Sequence, residues 1–241
     1  MNMAQPYKGS LPTSTVKKGS KGANVERVQT FLNWCMGYKL AVDGVCGAKT
    51  VASIKKYQVR YGLKKDGVFG TKSKKMAKHL IKKQPVLVAM RAQYEWSKKQ
   101  KYQFNDHPTI ANSKKEGTCI TFVAVTCQRL EILPSGKYFY LNPKTNRIAG
   151  NGDDYVKKHT EYYKLFYPNK TIKQLLTEGK IMPYDMLGFD DPAYHSMFFA
   201  GFNSKGEPIF YSMGSNKKWG KTYSYYANRK VSMIVRIKKV G

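Results

Sequence analysis

Val42-Asp43-Gly44-Val45-Cys46-Gly47-Ala48-Lys49-Thr50 returns twenty-three residues later as Lys65-Asp66-Gly67-Val68-Phe69-Gly70-Thr71-Lys72-Ser73. A repeat with matched order and spacing is harder to reach by chance than a single motif. Each copy reads as a tight turn in which Asp-Gly lets the glycine take positive φ. The following Val and Cys or Phe are expected to enter a core. The second glycine closes the turn, and Thr50 or Ser73 is expected to cap a helix. Working outward, Val25, Val28, Phe31 and Leu32 mark an amphipathic helix that breaks near Gly37. Val51, Ile54, Tyr57 and Gln58 form a second, reaching Gly62, and Met76, Ala77 and Leu80 a third. The expectation is a three-helix unit over roughly residues 16–81. Residues 1–15, with Pro6, Gly9 and Pro12, read as an extended lead-in.

This stretch resembles the peptidoglycan-binding domain carried by many cell-wall hydrolases. The resemblance rests on Lys18-Gly19-Ser20-Lys21-Gly22 before Val25, on Val28-Gln29 with Phe31-Leu32, and on Val42-Asp43-Gly44-Val45-Cys46-Gly47. Tyr57-Gln58 and Gly62-Leu63, leading to Asp66-Gly67-Val68-Phe69-Gly70, complete it. Cys46 stands where the family has an aromatic or aliphatic residue, and Lys65 where an apolar partner of Val42 is expected. Asp43 and Asp66 read as turn formers rather than ligand contacts. The resemblance implies peptidoglycan as partner and does not single out the wall-contacting residues.

The 241 residues allow one or two domains, and no apolar run approaches the roughly 18–20 residues of a membrane span. The formal charge of +28 draws the chain to polyanions, either nucleic acid or anionic cell-wall polymers. The basic residues are spread along the chain. That fits general attraction better than a groove-reading element, so no specific nucleic-acid partner is expected. Met1 to Lys8 lack the apolar centre of a secretion signal. Synthesis in the cytoplasm is therefore expected, with action at the wall only after release. Cys35, Cys46, Cys119 and Cys127 include no Cys-x-x-Cys pair, which excludes a zinc ribbon or thioredoxin-like motif. No His-x-x-x-His or Glu-x-x-His set appears, so neither metal nor cofactor is expected.

Lys82-Lys83-Gln84-Pro85 reads as a linker ending in a helix breaker, and residues 86–241 as a second domain. Val86, Leu87, Met90, Tyr94 and Ser97 share a helix face. In Gly117-Thr118-Cys119-Ile120-Thr121-Phe122-Val123, a polar turn runs into an apolar helix. Its face is continued by Thr126, Cys127 and Leu130. Tyr138 to Leu141 reads as a strand, residues 142–152 as a loop and 153–167 as helical. Thr171 to Gly179 reads as a short helix. Met186–Phe189, His195–Phe202, Ile209–Met213 and Val231–Ile237 read as strands of an antiparallel meander, with a turn at Asn203 to Gly206 and the last strand closing the sheet. Helices followed by such a sheet make an α+β domain.

Cys119 opens its helix, where free N–H groups and the helix dipole favour a thiolate. Alone, the stretch favours a buried core cysteine over a nucleophile. Of His79, His107, His159 and His195, the last begins a strand, where a ring is rigidly held and can serve as base. Gly117 to Val123 resembles the nucleophile helix of papain-like cell-wall cysteine peptidases, the NlpC and CHAP groups. Met182-Pro183-Tyr184-Asp185-Met186-Leu187 and His195 to Gly201 resemble their paired strands. The resemblance implies a papain-like fold over roughly residues 88–241, with Cys119 as nucleophile and His195 as base. The groups often have Asp and Ser flanking the cysteine, where Thr118 and Ile120 stand, and Gly before the strand Asp, where Tyr184 stands. A third residue orients the histidine from the next strand. An even turn puts Asn216 opposite His195 with Ser212 on the same face, and an odd loop presents Tyr211 instead.

Together these readings describe a phage-type endolysin that cleaves an amide bond of the wall peptide, as an endopeptidase or an N-acetylmuramoyl-L-alanine amidase. The alternatives are a wall-binding protein without catalysis and, more distantly, a nucleic-acid binder. Host, wall chemotype and oligomeric state are not encoded in any motif.

Overall fold

The computed structural model describes residues 3–99, 101–102, 109–110, 116–142, 145, 147–189, 195–213 and 229–240. The chain divides into two compact units: Met1–Val88 with Phe202–Gly206, and Ala89–Gly201 with Glu207–Gly241.

The first unit is built on α1 (Ala23–Met36), α2 (Ala48–Arg60) and α3 (Thr71–Lys82). Phe31 of α1, Tyr57 of α2 and Phe69 of the second turn meet at its centre. Their ring centroids lie 5.6–5.8 Å apart, and all three are fully buried. Gly37 ends α1 in the left-handed conformation, as the sequence requires. The two repeat copies are held by one device. Gln29 Nε2 donates to Asp43 Oδ1 at 2.7 Å and to the Val45 carbonyl, while its Oε1 accepts the Gly44 N–H. Gln58 does the same with Asp66, Val68 and Gly67. The bonds from Gln29 and the Val45 N–H hold the Asp43 carboxyl below the usual range. Both aspartates are therefore occupied in shaping turns.

Three expectations for this unit are corrected. Cys46 and Phe69 are buried, but Val45 is exposed and Val68 half-buried. Lys21 pairs with Val45 and Val16 with Phe69 as isolated bridges, and successive residues of extended chain face opposite sides. Thr50 and Ser73 do not cap the helices. Gly47 and Gly70 occupy the N-cap positions, and the two hydroxyls, a turn inside, donate back to the Val45 and Val68 carbonyls. The lead-in is tied down: Met3 is fully buried, Trp34 Nε1 donates to the Gln5 carbonyl, and Tyr7 packs on Phe31 and Trp34.

Residues 82–85 hold the end of α3 and the start of α4 (Gln84–Ser97). Pro85 stands in the first turn of α4, where its missing N–H is not needed. It starts a helix rather than breaking one. The division between the units falls inside α4.

The second unit continues with β1 (Lys101–Tyr102), parallel to β2 (Glu116–Gly117), and then α5 (Cys119–Arg129). β3 (Tyr140–Asn142) and β4 (Arg147–Ala149) pair as a hairpin where a loop was expected. α6 (Asp153–Lys158) is followed by β5 (Tyr163–Phe166), so residues 153–167 are only half helical. The aromatic and branched run Tyr163 to Phe166 gains a sheet partner in tertiary structure, which outweighs its local helical reading. β6 (Lys170–Thr171) leads into α7 (Ile172–Thr177), capped by Thr171 and Gln174 as a reciprocal pair.

β7 (Met186–Phe189), β8 (His195–Phe202), β9 (Pro208–Tyr211) and β10 (Lys230–Ile237) complete the unit. The sheet order is β5-β10-β7-β8-β9, with β6 also on β10. β10 was expected to close the sheet at an edge and instead lies inside it, antiparallel to β5 and to β7. Val231, Met233, Val235 and Ile237 are buried, and so are Ser232 and Ile234 of the other parity. Such a strand belongs in a covered interior position. α5 is buried from Cys119 through Gln128 except at Ile120, wider than one stripe. It meets β8 through Phe122 and Phe198, and β7 through Cys127 and Met186.

Candidate active site

Cys119 is the first residue of α5. Thr118 is its N-cap, with extended backbone and a side-chain oxygen that accepts the Ile120 N–H at 3.2 Å. Gly117 belongs to β2 rather than to a free turn. A β-carbon there would lie 3.0 Å from Met213 Sδ, two residues past β9, so the methionine side chain packs closely over this point. The backbone N–H groups of Ser196, the residue after His195, and of Ile120 and Cys119 itself lie where they favour the charged form of the Cys119 sulfur. The nucleophile candidate and the start of β8 are thus brought together, although the two segments lie about seventy-five residues apart in sequence.

β8 is anchored at this end by register. His195 faces Phe189 and Ser196 faces Gly188 across the β7–β8 ladder. Ser212, one residue past β9, is buried, and its hydroxyl donates to the Ser196 carbonyl at 3.2 Å. Its donated bond therefore steadies β8 beside His195 rather than reaching the imidazole. Tyr211, the odd-loop alternative, is buried. Asn216 and His107 lie outside the described residues.

Burial pushes the Cys119 thiol up to about 11, against the pull of the three N–H groups. Burial also lowers His195 to about 4. A thiolate favoured by the helix end was expected. In this conformation desolvation of the charged form outweighs the dipole, so both groups are neutral at pH 7. Cys127, two turns on, is pushed up to about 12 by burial, with Tyr163 hydrogen bonding in the opposite sense.

Sequence reasoning missed the Ser196 amide, which as a backbone group leaves no composition signal. It also left Asp185 without a partner. Arg236 of β10 grips both Asp185 oxygens at 2.9 and 2.7 Å and donates to the Lys180 carbonyl. Burial lowers the Arg236 pKa and the Asp185 bond raises it, with a net rise. Tyr184, where the resembling groups have glycine, has φ of 70° and is buried. The position demands a left-handed backbone, and here a tyrosine accepts it, its N–H bonding to the Phe199 carbonyl. His159 stacks on Tyr155 with centroids 3.7 Å apart. Among the described residues no cluster of three or more His, Cys, Asp or Glu is placed to hold a metal ion, and no helix is long and apolar enough to cross a membrane.

Residues 21–76 match a family model described as "Putative peptidoglycan binding domain". The match takes in α1, α2, both repeat copies and the first half of α3. It supports a peptidoglycan-binding domain in the first unit, with peptidoglycan as its partner and association with the cell wall. No curated protein and no solved structure matches the chain.

Proposed function

We propose that the chain is a peptidoglycan hydrolase of the endolysin type. Its first unit holds the wall and its second, papain-like in the arrangement of helix and sheet, cleaves an amide bond of the wall peptide. The observation that supports this is Cys119 as the first residue of α5, its sulfur within the influence of the Ser196 N–H beside His195. In the proposed reaction His195 takes the thiol proton and the sulfur attacks the amide carbonyl carbon. The oxygen that gains charge is stabilised by the Cys119 N–H. The imidazolium gives its proton to the departing amine as the C–N bond breaks. Water then hydrolyses the thioester, returning the proton to sulfur. Whether the amine belongs to a stem peptide bond or to the link between sugar and peptide is read from the released fragments by mass spectrometry.

Turbidity of purified walls provides the test. Cys119→Ala is expected to abolish clearing, and His195→Ala to reduce it by a factor of about 100 or more. Undiminished clearing by Cys119→Ala overturns the proposal. A second reading, wall binding without catalysis, is favoured by the burial that keeps thiol and imidazole neutral. Alkylation separates the two. Rapid labelling of Cys119 near pH 7 in the presence of wall fragments supports the hydrolase, and an inert thiol supports the binder.

A further inference from the structure

The two repeat copies share one hydrogen-bonded device but present different outer surfaces. In the first copy Val42 is 50% and Val45 44% exposed. In the second, Lys65 occupies the Val42 position and Val68 is half-buried. Both turns are made by the Gln–Asp–Gly bonds, so folding does not require the exposed valines. The backbone around them is bare. A β-carbon at Gly19, Gly22 or Gly47 would meet nothing within 4 Å. Gly19 N–H donates to the Cys46 carbonyl and Gly22 N–H to the Gly44 carbonyl, which lays the Gly19–Gly22 segment alongside the valine turn. Lys18, Lys21 and Lys49 are exposed around it, with Lys21 directly opposite Val45. Two carboxylates share the turn: Asp43, exposed and bonded to Gln29 and the Val45 N–H, and Glu26 beside Gly44.

This is a small apolar spot on open backbone, with three exposed lysines on the segments that form it and an Asp43 carboxylate already occupied by the turn's own donors. We infer that this first-copy turn is the wall-contacting face of the domain and that it takes the peptide stem of peptidoglycan. Alanine methyls rest on Val42 and Val45, and stem carboxylates face Lys18, Lys21 and Lys49. The inference rests on the peptidoglycan-binding assignment and is independent of the catalytic one. Charge selects peptide over glycan: acetamido sugars also offer methyl groups, but the stem adds the carboxylates that an ammonium rim attracts.

The test uses the full chain carrying Cys119→Ala, so that the wall persists, and cosedimentation with insoluble peptidoglycan stripped of anionic polymers. Val42→Lys with Val45→Thr is expected to weaken binding about tenfold or more, since two apolar contacts are lost. The matched change Val68→Thr in the second copy stays within about twofold of the parent. Val42→Lys adds a positive charge, so attraction by charge alone predicts tighter binding and the opposite result. A soluble disaccharide-tetrapeptide competes, and a peptide-free N-acetylglucosamine oligomer does not. Thermal melting of each variant verifies that the domain is folded. Unchanged binding by the double variant, equal loss from Val68→Thr, or competition by the oligomer alone overturns the inference. Failure of the parent itself to sediment overturns the peptidoglycan assignment beneath it.

Discussion

His195 and Arg236 show how single side chains carry consequences of burial. With His195 lowered to about 4 from an ordinary 6.5, the folded state resists its protonation. The stability it contributes is full above pH 6.5 and is lost as pH falls through 4. The shift corresponds to about 3 kcal/mol at its limit. Urea unfolding between pH 7 and pH 4 is expected to show this loss in the parent, and His195→Gln is expected to flatten the slope relative to it. At Arg236 the relevant quantity is the partner left behind. Asp185 is 1% exposed, and Arg236→Met leaves its carboxylate buried without the guanidinium. A loss of about 3–5 kcal/mol is expected in urea unfolding. Adding Asp185→Asn to Arg236→Met is expected to recover part of it. Of the residues at the candidate site, Cys119 and His195 were legible in sequence because each opens an element. The Arg236–Asp185 pair was not, since fifty-one residues separate its members.

Among the elements, the repeated turns were the most legible and their supports the least. Asp-Gly marks the turn, but the glutamine that holds it sits on the preceding helix, fourteen residues away in one copy and eight in the other. Gln58→Leu removes bonds to Asp66, Val68 and Gly67 together, leaving the buried Gly67 N–H unmet and the Val68 carbonyl with the Ser73 hydroxyl alone. The expected cost is about 2–4 kcal/mol, read as faster amide exchange across α2 and α3. Gln29→Leu is expected to act likewise on α1 and α2. In the second unit, strand existence was readable for β7 and β8, whose limits match the apolar runs. Strand order was not. Alternation along β10 describes a face but not a neighbour, and only pairing with β5 and β7 gives its interior place.

For the whole molecule, the charge of +28 acts across both units rather than at one site. Attraction of such charges to a polyanion reaches over a Debye length of about 10 Å at 0.1 M salt and about 3 Å at 1 M. Binding to walls that retain those polymers is expected to fall steeply over that range in a sedimentation assay. Binding to stripped peptidoglycan is expected to fall less, because the apolar part of that contact is not screened. Equal salt dependence on both wall preparations would show that charge alone holds the protein to the wall.

Taken alone, the sequence determined the three-helix unit and its turns, because local turn chemistry and helical periodicity act over a few residues, while peptidoglycan as partner came through the family resemblance those residues carry. It also determined that Cys119 opens a helix and His195 a strand. Tertiary structure alone decided that the start of β8 comes to the Cys119 end of α5 and that Ser212 braces β8. It also decided that burial, not the helix dipole, governs the thiol. Those outcomes depend on which surfaces exclude water, and desolvation is a property of the assembled core rather than of any stretch of chain.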